Sequence, residues 1–167
     1  MNVNVLVVFY SRYGKAERLA LAAGLGAIQA NANIRLRRVP DIADEASIAA
    51  DSAWMENRER MKMDYVTPRP DDAPWADVII LTTPMDSSAE IDRYLASLHA
   101  QGPYPGKIAA PFCPGNRAQT VAQLYAGSAI LGLTVVPMVA TTGYAVDIAR
   151  TYGTRVTEMA RALKTKS

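Results

Sequence analysis

The sequence has few of the residue types that hold small proteins together without a large core. Among its 167 residues there is one cysteine, Cys113, and one histidine, His99. A single cysteine excludes an internal disulfide framework, and a single histidine excludes a histidine-rich metal site. Aromatic residues make up only 7% of the chain. We therefore expect no metal site and a core built mainly from aliphatic side chains.

Strong charge and long apolar runs are also missing. Lys and Arg total 18 against 16 for Asp and Glu, a formal net charge of +2, so the chain has no basic stripe of the kind that binds nucleic acid. No apolar run reaches the roughly 20 residues that cross a bilayer. The opening segment MNVNVLVVFY has neither the basic start nor the cleavage site of a signal peptide. These absences predict a cytoplasmic protein that contacts neither nucleic acid nor membrane.

The composition that is present suits a folded domain. Half of the residues are hydrophobic and 20% are charged, a balance that allows a packed core. The length is that of one ordinary domain. We expect residues 1–167 to form a single domain.

Strand-like and helix-like segments alternate along the chain. The strand-like segments are mostly apolar without polar alternation, which is typical of strands buried on both faces of a parallel sheet. The predicted strands are 3–9, 34–39, 77–82, 107–112 and 133–139, and the predicted helices are 15–30, 88–100, 119–131 and 146–163. This alternation predicts an α/β fold, in which a doubly wound five-stranded parallel sheet lies between two layers of helices.

Residues 40–74 are the least regular part of the chain. The segment contains helix formers, but its charges surround the apolar residues without a clean stripe, and Pro68, Pro70 and Pro74 then interrupt it. We interpret it as a partly helical excursion followed by an extended loop. Trp54 and the methionines beside it favour core packing over an apolar wall for a flat substrate.

The loop after the first strand is the most informative candidate site. In an open α/β sheet, ligands bind at the carboxyl ends of the strands. The first strand is joined to a helix N-terminus by Ser11, Arg12, Tyr13, Gly14 and Lys15. At such a helix end, free N–H groups and the helix dipole favour an anion. The alternative is a structural turn in which Ser11 caps the helix. The loop matches neither the Walker pattern nor GxGxxG.

Several colinear segments resemble a known family. They resemble, in order, the first loop and helix, two strands with their loops, a later strand and the closing helix of one oxidoreductase family. The segments are FYSRYGKAERLALAAGLGA, ADVIILTTPMDSS, PGKIAAPFCPG, ILGLTVVPM and ARTYGTRVTEMARAL. The family is that of the flavodoxin-like NAD(P)H:quinone oxidoreductases of the tryptophan-repressor-binding-protein type. The resemblance covers most of the chain outside residues 40–74. It implies a flavodoxin-like three-layer αβα fold.

The resemblance also implies a cofactor and a place for it. FMN would be bound with its phosphate on Ser11, Arg12, Tyr13, Gly14, Lys15 and Ala16. The isoalloxazine ring would lie between two loops, one made of Thr83, Pro84, Met85, Asp86 and Ser87 and the other of Cys113, Pro114, Gly115 and Asn116. Family members reduce quinones by two electrons at the expense of NADH or NADPH, and commonly form homo-oligomers. We therefore expect a dimer or tetramer of a quinone reductase.

The chain departs from the family in the two loops that would hold the ring. MDSSA at residues 85–89 replaces TRFGN, and Asp86 would lower the potential of a nearby flavin that becomes anionic on reduction. The glycine-rich loop after the fourth strand is shortened to residues 113–117, and Leu131 replaces the family's histidine. No general acid can be identified, so the catalytic residues are unassigned.

The residues leave two other functions open. The diverged ring loops suit a flavin-free flavodoxin-like module that binds a partner or another small anion. An electron-carrier flavodoxin is disfavoured, because such carriers are usually strongly acidic. Cys113 has only Arg117 near it in sequence to activate a thiol, so buried core is favoured over a redox role.

Overall fold

The computed structural model describes residues 2–138 and 145–165. Five strands form one parallel sheet in the order β2-β1-β3-β4-β5. The strands are β1 Val3–Phe9, β2 Ala32–Arg38, β3 Val78–Thr82, β4 Ile108–Phe112 and β5 Thr134–Val135. The predicted doubly wound parallel sheet is therefore confirmed.

Seven helices are described, and they cover both faces of the sheet. They are α1 Lys15–Gln29, α2 Glu45–Ala49, α3 Ser52–Asp64, α4 Asp72–Trp75, α5 Ala89–His99, α6 Ala118–Ile130 and α7 Ala145–Lys164. A 3₁₀ turn at Pro114–Asn116 precedes α6. None of the described helices has the length and apolar character required to cross a bilayer.

Two apolar clusters on opposite faces of the sheet explain the three layers. Because side chains alternate along a strand, Val5, Val7 and Phe9 of β1 face α1 and α7, whereas Leu6 and Val8 face α5 and α6. All five of these side chains are fully buried. This double burial is the reason that the strand reads as a continuous apolar run.

The first and last helices pack against each other through glycines. A Cβ atom added to Gly26 of α1 would lie 1.9 Å from the Arg150 carbonyl oxygen of α7, and one added to Gly153 would lie 1.9 Å from the Ala23 carbonyl oxygen. Thr154 also donates a hydrogen bond of 3.0 Å to the Gly26 carbonyl. The two backbones approach this closely because neither glycine has a side chain.

Residues 40–74 contain more helix than expected, and the helices lie on different faces. The long α3 packs on the α1 face, where Met61 is fully buried. The one-turn α4 packs on the opposite face, through Ala73 and Ala76. Of the other apolar residues that stood out in the sequence, Trp54 is buried and Met63 is exposed.

The fifth strand is shorter than predicted. Only Thr134 and Val135 form the strand that pairs with β4, and the last described backbone hydrogen bond to β4 is donated by the Val136 N–H to the Ala109 carbonyl, at 2.9 Å. Tyr152 of α7 donates its hydroxyl to the Val136 carbonyl, which provides that group with a partner other than a strand. The predicted end of this strand, Val139, lies outside the described residues.

The glycine contact between α1 and α7 can be tested by stability. Gly26→Ala places a methyl group on the Arg150 carbonyl, and we expect it to lower the free energy of unfolding by about 2–3 kcal/mol. Gly24→Ala is the matched control, because its Cβ would lie 3.8 Å from both Ile34 and Val7, an ordinary contact. That change should be neutral or stabilising by up to about 1 kcal/mol, since alanine favours helix. Equal urea midpoints for the two variants would contradict the close contact.

Candidate functional site

Three loops leave the sheet at the carboxyl ends of neighbouring strands. Residues 10–14 follow β1, residues 83–88 follow β3 and residues 113–117 follow β4. From β1 the chain passes to β2 on one side, whereas β3 and β4 lie on the other, so the strand order reverses between β1 and β3. Ligands of open α/β sheets bind at such a point. The predicted site residues therefore share one edge of the sheet.

The N-terminus of α1 lies at this edge with no side chain capping it. Gly14 occupies the N-cap position with φ of 86°, in the left-handed region that favours glycine, and no side chain accepts a hydrogen bond as a cap. Lys15 and Ala16 begin the helix. Because the first N–H groups of a helix have no partner within it, they are available to an anion.

Ser11 does not cap the helix. Its buried hydroxyl accepts a hydrogen bond of 3.0 Å from the N–H of Gly14, one residue before the first turn. The alternative of Ser11 as the N-cap is therefore wrong. The reason is that the left-handed Gly14 provides the turn into α1, so the serine stabilises the loop and not the helix end.

A strap made of α2 and α3, residues 45–64, packs across the first loop. The Tyr13 hydroxyl donates a hydrogen bond of 2.6 Å to the Asp51 carboxylate. The guanidinium carbon of Arg12 lies 4.6 Å from the centre of a Trp54 ring, close enough for a cation–π contact. Arg12 also donates through Nε to the Tyr10 hydroxyl, at 3.3 Å. Two predicted phosphate ligands are thus held by the strap.

The Asp41 carboxylate joins the strap to the sheet. It accepts hydrogen bonds from the Tyr10 hydroxyl at 3.0 Å, from Trp54 Nε1 at 2.8 Å and from Arg38 Nη2 at 2.7 Å. Burial alone would raise the pKa of this carboxyl, but the hydrogen bonds outweigh burial and hold the pKa below its usual value. Asp41 therefore stays ionised and fixes the position of Trp54, on which Arg12 lies.

Glu17 is a second buried carboxylate beside the loop. Arg60 of α3 donates to both of its oxygens, at 2.9 Å and 2.6 Å, and Tyr65 donates at 2.6 Å. Burial opposes ionisation, but these hydrogen bonds together hold the pKa of Glu17 below its usual value. Because Arg60 neutralises Glu17, the carboxylate adds little net repulsion toward an anion at the neighbouring helix end.

The loop after β3 is fixed by its own backbone and by α6. Thr83 donates a hydrogen bond of 2.7 Å to the Ser87 carbonyl, and Thr120 donates one of 2.8 Å to the Met85 carbonyl. These two bonds leave the Met85 side chain 49% exposed. Pro84 is half-buried, and Asp86 is exposed. Met85 and Asp86 are therefore the side chains that this loop offers to a ligand.

The loop after β4 touches the loop after β3. Gly115 has φ of 68°, and a Cβ added there would lie 3.2 Å from Met85 Sδ. Pro114 begins the 3₁₀ turn, whose backbone ends at Asn116. Cys113 is buried, and burial raises the pKa of its thiol. The expectation of an unreactive core thiol is thus supported.

The structure adds two residues that the sequence pattern did not single out. Arg18 lies one turn into α1 and lines a cleft with Lys15, Pro114 and Asp147 of α7. Thr82 ends β3 with a fully buried hydroxyl that has no hydrogen-bond partner among the described residues. Both could have been found from their positions, since one is on the loop-facing side of α1 and the other ends a strand. Among the described residues no group of acidic, cysteine and histidine side chains could hold a metal ion.

Comparison with known proteins relates this chain to named enzymes. It is 30% identical to an NAD(P)H dehydrogenase (quinone) 3 of Rhizobium meliloti over 147 residues, which is 77% of this chain and 66% of that protein. It is 29% identical to an NAD(P)H dehydrogenase (quinone) of Paracoccus denitrificans, over 80% of this chain and 66% of that protein. A protein of the same name from Nitrobacter winogradskyi is also 29% identical, over 79% of this chain and 69% of its own length. The chain thus spans about two thirds of these relatives. No protein-family model matches it.

Solved structures share the fold at lower identity. An archaeal flavodoxin matches with a TM-score of 0.66 and 14% identity, over 95% of this chain and 99% of its own. An NAD(P)H:quinone oxidoreductase from Methanothermobacter marburgensis matches with a TM-score of 0.52 and 14% identity, over 94% of this chain and 98% of its own. The fold is flavodoxin-like. Within that class, the chain is a homologue of the proteins named NAD(P)H dehydrogenase (quinone), which confirms the resemblance seen in the sequence.

The Glu17 contacts predict a pH-dependent loss of stability. Glu17→Gln removes a buried charge that Arg60 and Tyr65 bind, and we expect it to lower the free energy of unfolding by about 1–3 kcal/mol at pH 7. Because the folded pKa is depressed, the wild-type advantage is present above the unfolded pKa of about 4.3 and disappears as the pH falls through the folded pKa. Urea unfolding at pH 7 and pH 3 measures the difference. Glu56→Gln, at an exposed position of the same α3, is the control and should be neutral at both pH values.

Proposed function

We propose that this chain binds FMN and transfers two electrons from NADH or NADPH to a quinone. The observation that carries the proposal is the uncapped N-terminus of α1, which opens at the strand-order reversal behind a glycine of positive φ. That arrangement suits a phosphate. The homology to NAD(P)H dehydrogenases (quinone) supports the choice of NAD(P)H and quinone, and the flavodoxin-like fold supports a flavin.

The phosphate end of FMN fits the residues present. The N–H groups of Lys15 and Ala16 would donate to the phosphate, and the Ser11 hydroxyl, whose oxygen already accepts from Gly14, keeps its proton for a further hydrogen bond. Lys15 and Arg12 add positive charge near the helix end. The Tyr13 hydroxyl already donates to Asp51, so Tyr13 would contribute to phosphate binding through its backbone N–H.

The ring end of FMN has fewer contacts available. We propose that Met85 and Pro84 from one loop and Pro114 and Gly115 from the other flank the isoalloxazine. The isoalloxazine ring would also be supported by the backbone of the two loops at Thr83, Ser87, Cys113 and Asn116. A ring seated here would lie on the outer side of Met85, since Met85 Sδ occupies the space beside Gly115, only 3.2 Å from the position of an added Cβ. Asp86 is exposed beside it and would disfavour negative charge on the reduced flavin.

The protein contributes binding and orientation, whereas the cofactor contributes the redox chemistry. FMN, when bound, supplies the two-electron transfer from the nicotinamide donor to the quinone. The helix end would hold the phosphate, the strap would fix Arg12 and Tyr13, and the exposed Met85 would offer an apolar surface to a flat acceptor. No side chain of the three loops is assigned as a general acid.

Assembly and location belong to the same proposal. We propose a cytoplasmic single-domain protein, residues 1–167, that forms a homodimer or homotetramer. Leu21, Leu25 and Ile28 of α1 are each nearly half exposed and follow one another at i, i+4 and i+7. Such an apolar stripe on a helix supports contact with another copy.

One observation favours the alternative of a flavin-free module. The Ser11–Gly14 hydrogen bond and the strap already use part of the first loop's binding capacity. A module that binds a different small anion would use the same helix end without the ring loops. Titration with FMN separates the two functions, because only the first requires the flavin ring.

We expect Gly14→Val to weaken FMN binding at least tenfold. A β-branched side chain opposes the left-handed backbone at Gly14, where φ is 86°. Gly106→Val is the matched control, since Gly106 also has a positive φ of 78° but precedes β4, at the opposite edge of the sheet. Flavin fluorescence titration measures both affinities. Equal loss in the two variants, or no FMN binding by the wild type, would remove the proposal.

We expect the FMN-loaded protein to oxidise NADH or NADPH when a benzoquinone is present. Asp86→Asn should raise the midpoint potential of the bound flavin, because it removes a negative charge beside the reduced ring. Asp71→Asn, at an exposed position near Arg35, is the control and should leave the potential unchanged. Spectroelectrochemical titration gives the potential, and absorbance at 340 nm follows the nicotinamide. An unchanged potential for Asp86→Asn would show that the ring does not lie at this loop.

A further inference from the structure

Arg12 belongs to the first loop, but its guanidinium lies on the α5 face of the sheet. Its Nε donates to the Tyr10 hydroxyl at 3.3 Å, and Tyr10 is fully buried in the apolar cluster of that face. The Tyr10 N–H in turn donates to the carbonyl of Thr82, the last residue of β3, at 3.0 Å. The helix α1 packs on the other face. Arg12 therefore lies on the side of the edge from which α5 begins.

Two carboxylates at the start of α5 interact with this guanidinium. Asp86 belongs to the loop after β3, and Glu90 lies in the first turn of α5, two residues beyond that loop. Burial lowers the pKa of Arg12, but the hydrogen bond to Tyr10 and the charges of Glu90 and Asp86 outweigh burial and raise the pKa. Glu90 is 1% exposed, so water and salt screen its attraction to Arg12 only weakly. The positive charge of Arg12 is thus placed beside the loop proposed to hold the isoalloxazine ring.

The strap keeps the guanidinium in this position. The centre of a Trp54 ring lies 4.6 Å from the guanidinium carbon of Arg12, and Trp54 Nε1 donates to the Asp41 carboxylate at 2.8 Å. Asp41 also accepts from the Tyr10 hydroxyl, at 3.0 Å. Both groups that contact Arg12 therefore share one anchor. A charge held in this way needs little reorganisation when the charge of a bound ligand changes.

We propose that Arg12 stabilises the reduced form of a flavin bound at the ring loops, and that Glu90 positions the guanidinium and partly offsets its charge. The inference rests on the proposed function, because it requires the flavin ring to lie beside residues 83–88. A flavin ring that gains two electrons and one proton carries one negative charge, which a nearby cation favours over the neutral oxidised form. Asp86 and Glu90 act with the opposite sign. Arg12 thereby offsets the carboxylates that lower the potential at this end of the site.

The test compares the affinities of variants for oxidised and for reduced FMN. Arg12→Met removes the charge but keeps a long side chain, and we expect binding of reduced FMN to weaken about tenfold more than binding of oxidised FMN. For a two-electron couple, that ratio corresponds to a fall of about 30 mV in the midpoint potential. Flavin fluorescence titration gives the affinity for oxidised FMN, and spectroelectrochemical titration gives the potential. Arg155→Met, at an exposed position of α7, is the matched control and should leave the potential unchanged.

Two further variants separate charge from structure. Arg12→Lys keeps the charge but loses the Nε contact with Tyr10, and should hold the potential close to that of the wild type. Glu90→Gln removes a carboxylate beside Arg12, so it should favour reduced FMN and raise the potential. A defect in the strap alone would move the potential of Arg12→Met and Glu90→Gln in the same direction, and lysine would not correct it.

The outcomes distinguish this inference from the flavin proposal. No binding of FMN by the wild type would overturn both. Bound FMN with the same potential in the wild type and in Arg12→Met would overturn the inference alone. The same conclusion would follow if the potential fell in both Arg12→Met and Glu90→Gln, or if Arg12→Lys behaved like Arg12→Met.

Discussion

Parallel pairing is the constraint on which the rest of this structure depends. Parallel strands need a crossover for every return, and a right-handed crossover carries the chain over one face and back to the starting edge. Every loop that leaves a strand at its carboxyl end therefore reaches the same edge. In this chain the loops after β1, β3 and β4 meet there, and Met85 Sδ lies beside Gly115 as a result, 3.2 Å from where an added Cβ would be. A candidate site arises from topology before any particular side chain is considered.

The strap determines which parts of that edge are rigid. Two buried carboxylates, Asp41 and Glu17, connect it to the sheet and to α1 through Trp54 and Arg60. Charged or polar donors keep each carboxylate ionised. The strap is therefore held in place by ion pairs more than by apolar packing. The loop after β3 is held instead by two hydrogen bonds from side-chain hydroxyls to backbone carbonyls, donated by Thr83 and Thr120. The phosphate end of the edge is thus more firmly built than the ring end.

The sequence allowed the sheet to be predicted because its central strands are buried on both faces, which leaves an unbroken apolar signal in β1 and β3. It also located the loop from Ser11 to Lys15, since a glycine between a strand and a helix is a local feature. The partners of that loop were not predictable in the same way. Asp51 lies 38 residues from Tyr13, and Arg60 lies 43 residues from Glu17, so no local pattern connects them.

The glycine contact between α1 and α7 has a consequence for synthesis. The first helix of the chain acquires its closest neighbour only when the last helix, 20 residues long, is available to pack against it. While α7 is still inside the ribosome, the Ala-rich surface of α1 around Gly26 has no cover. Folding of the α1 layer therefore has to wait until α7 has emerged, and a chain that lacks α7 leaves a binding surface for chaperones in place of a finished layer.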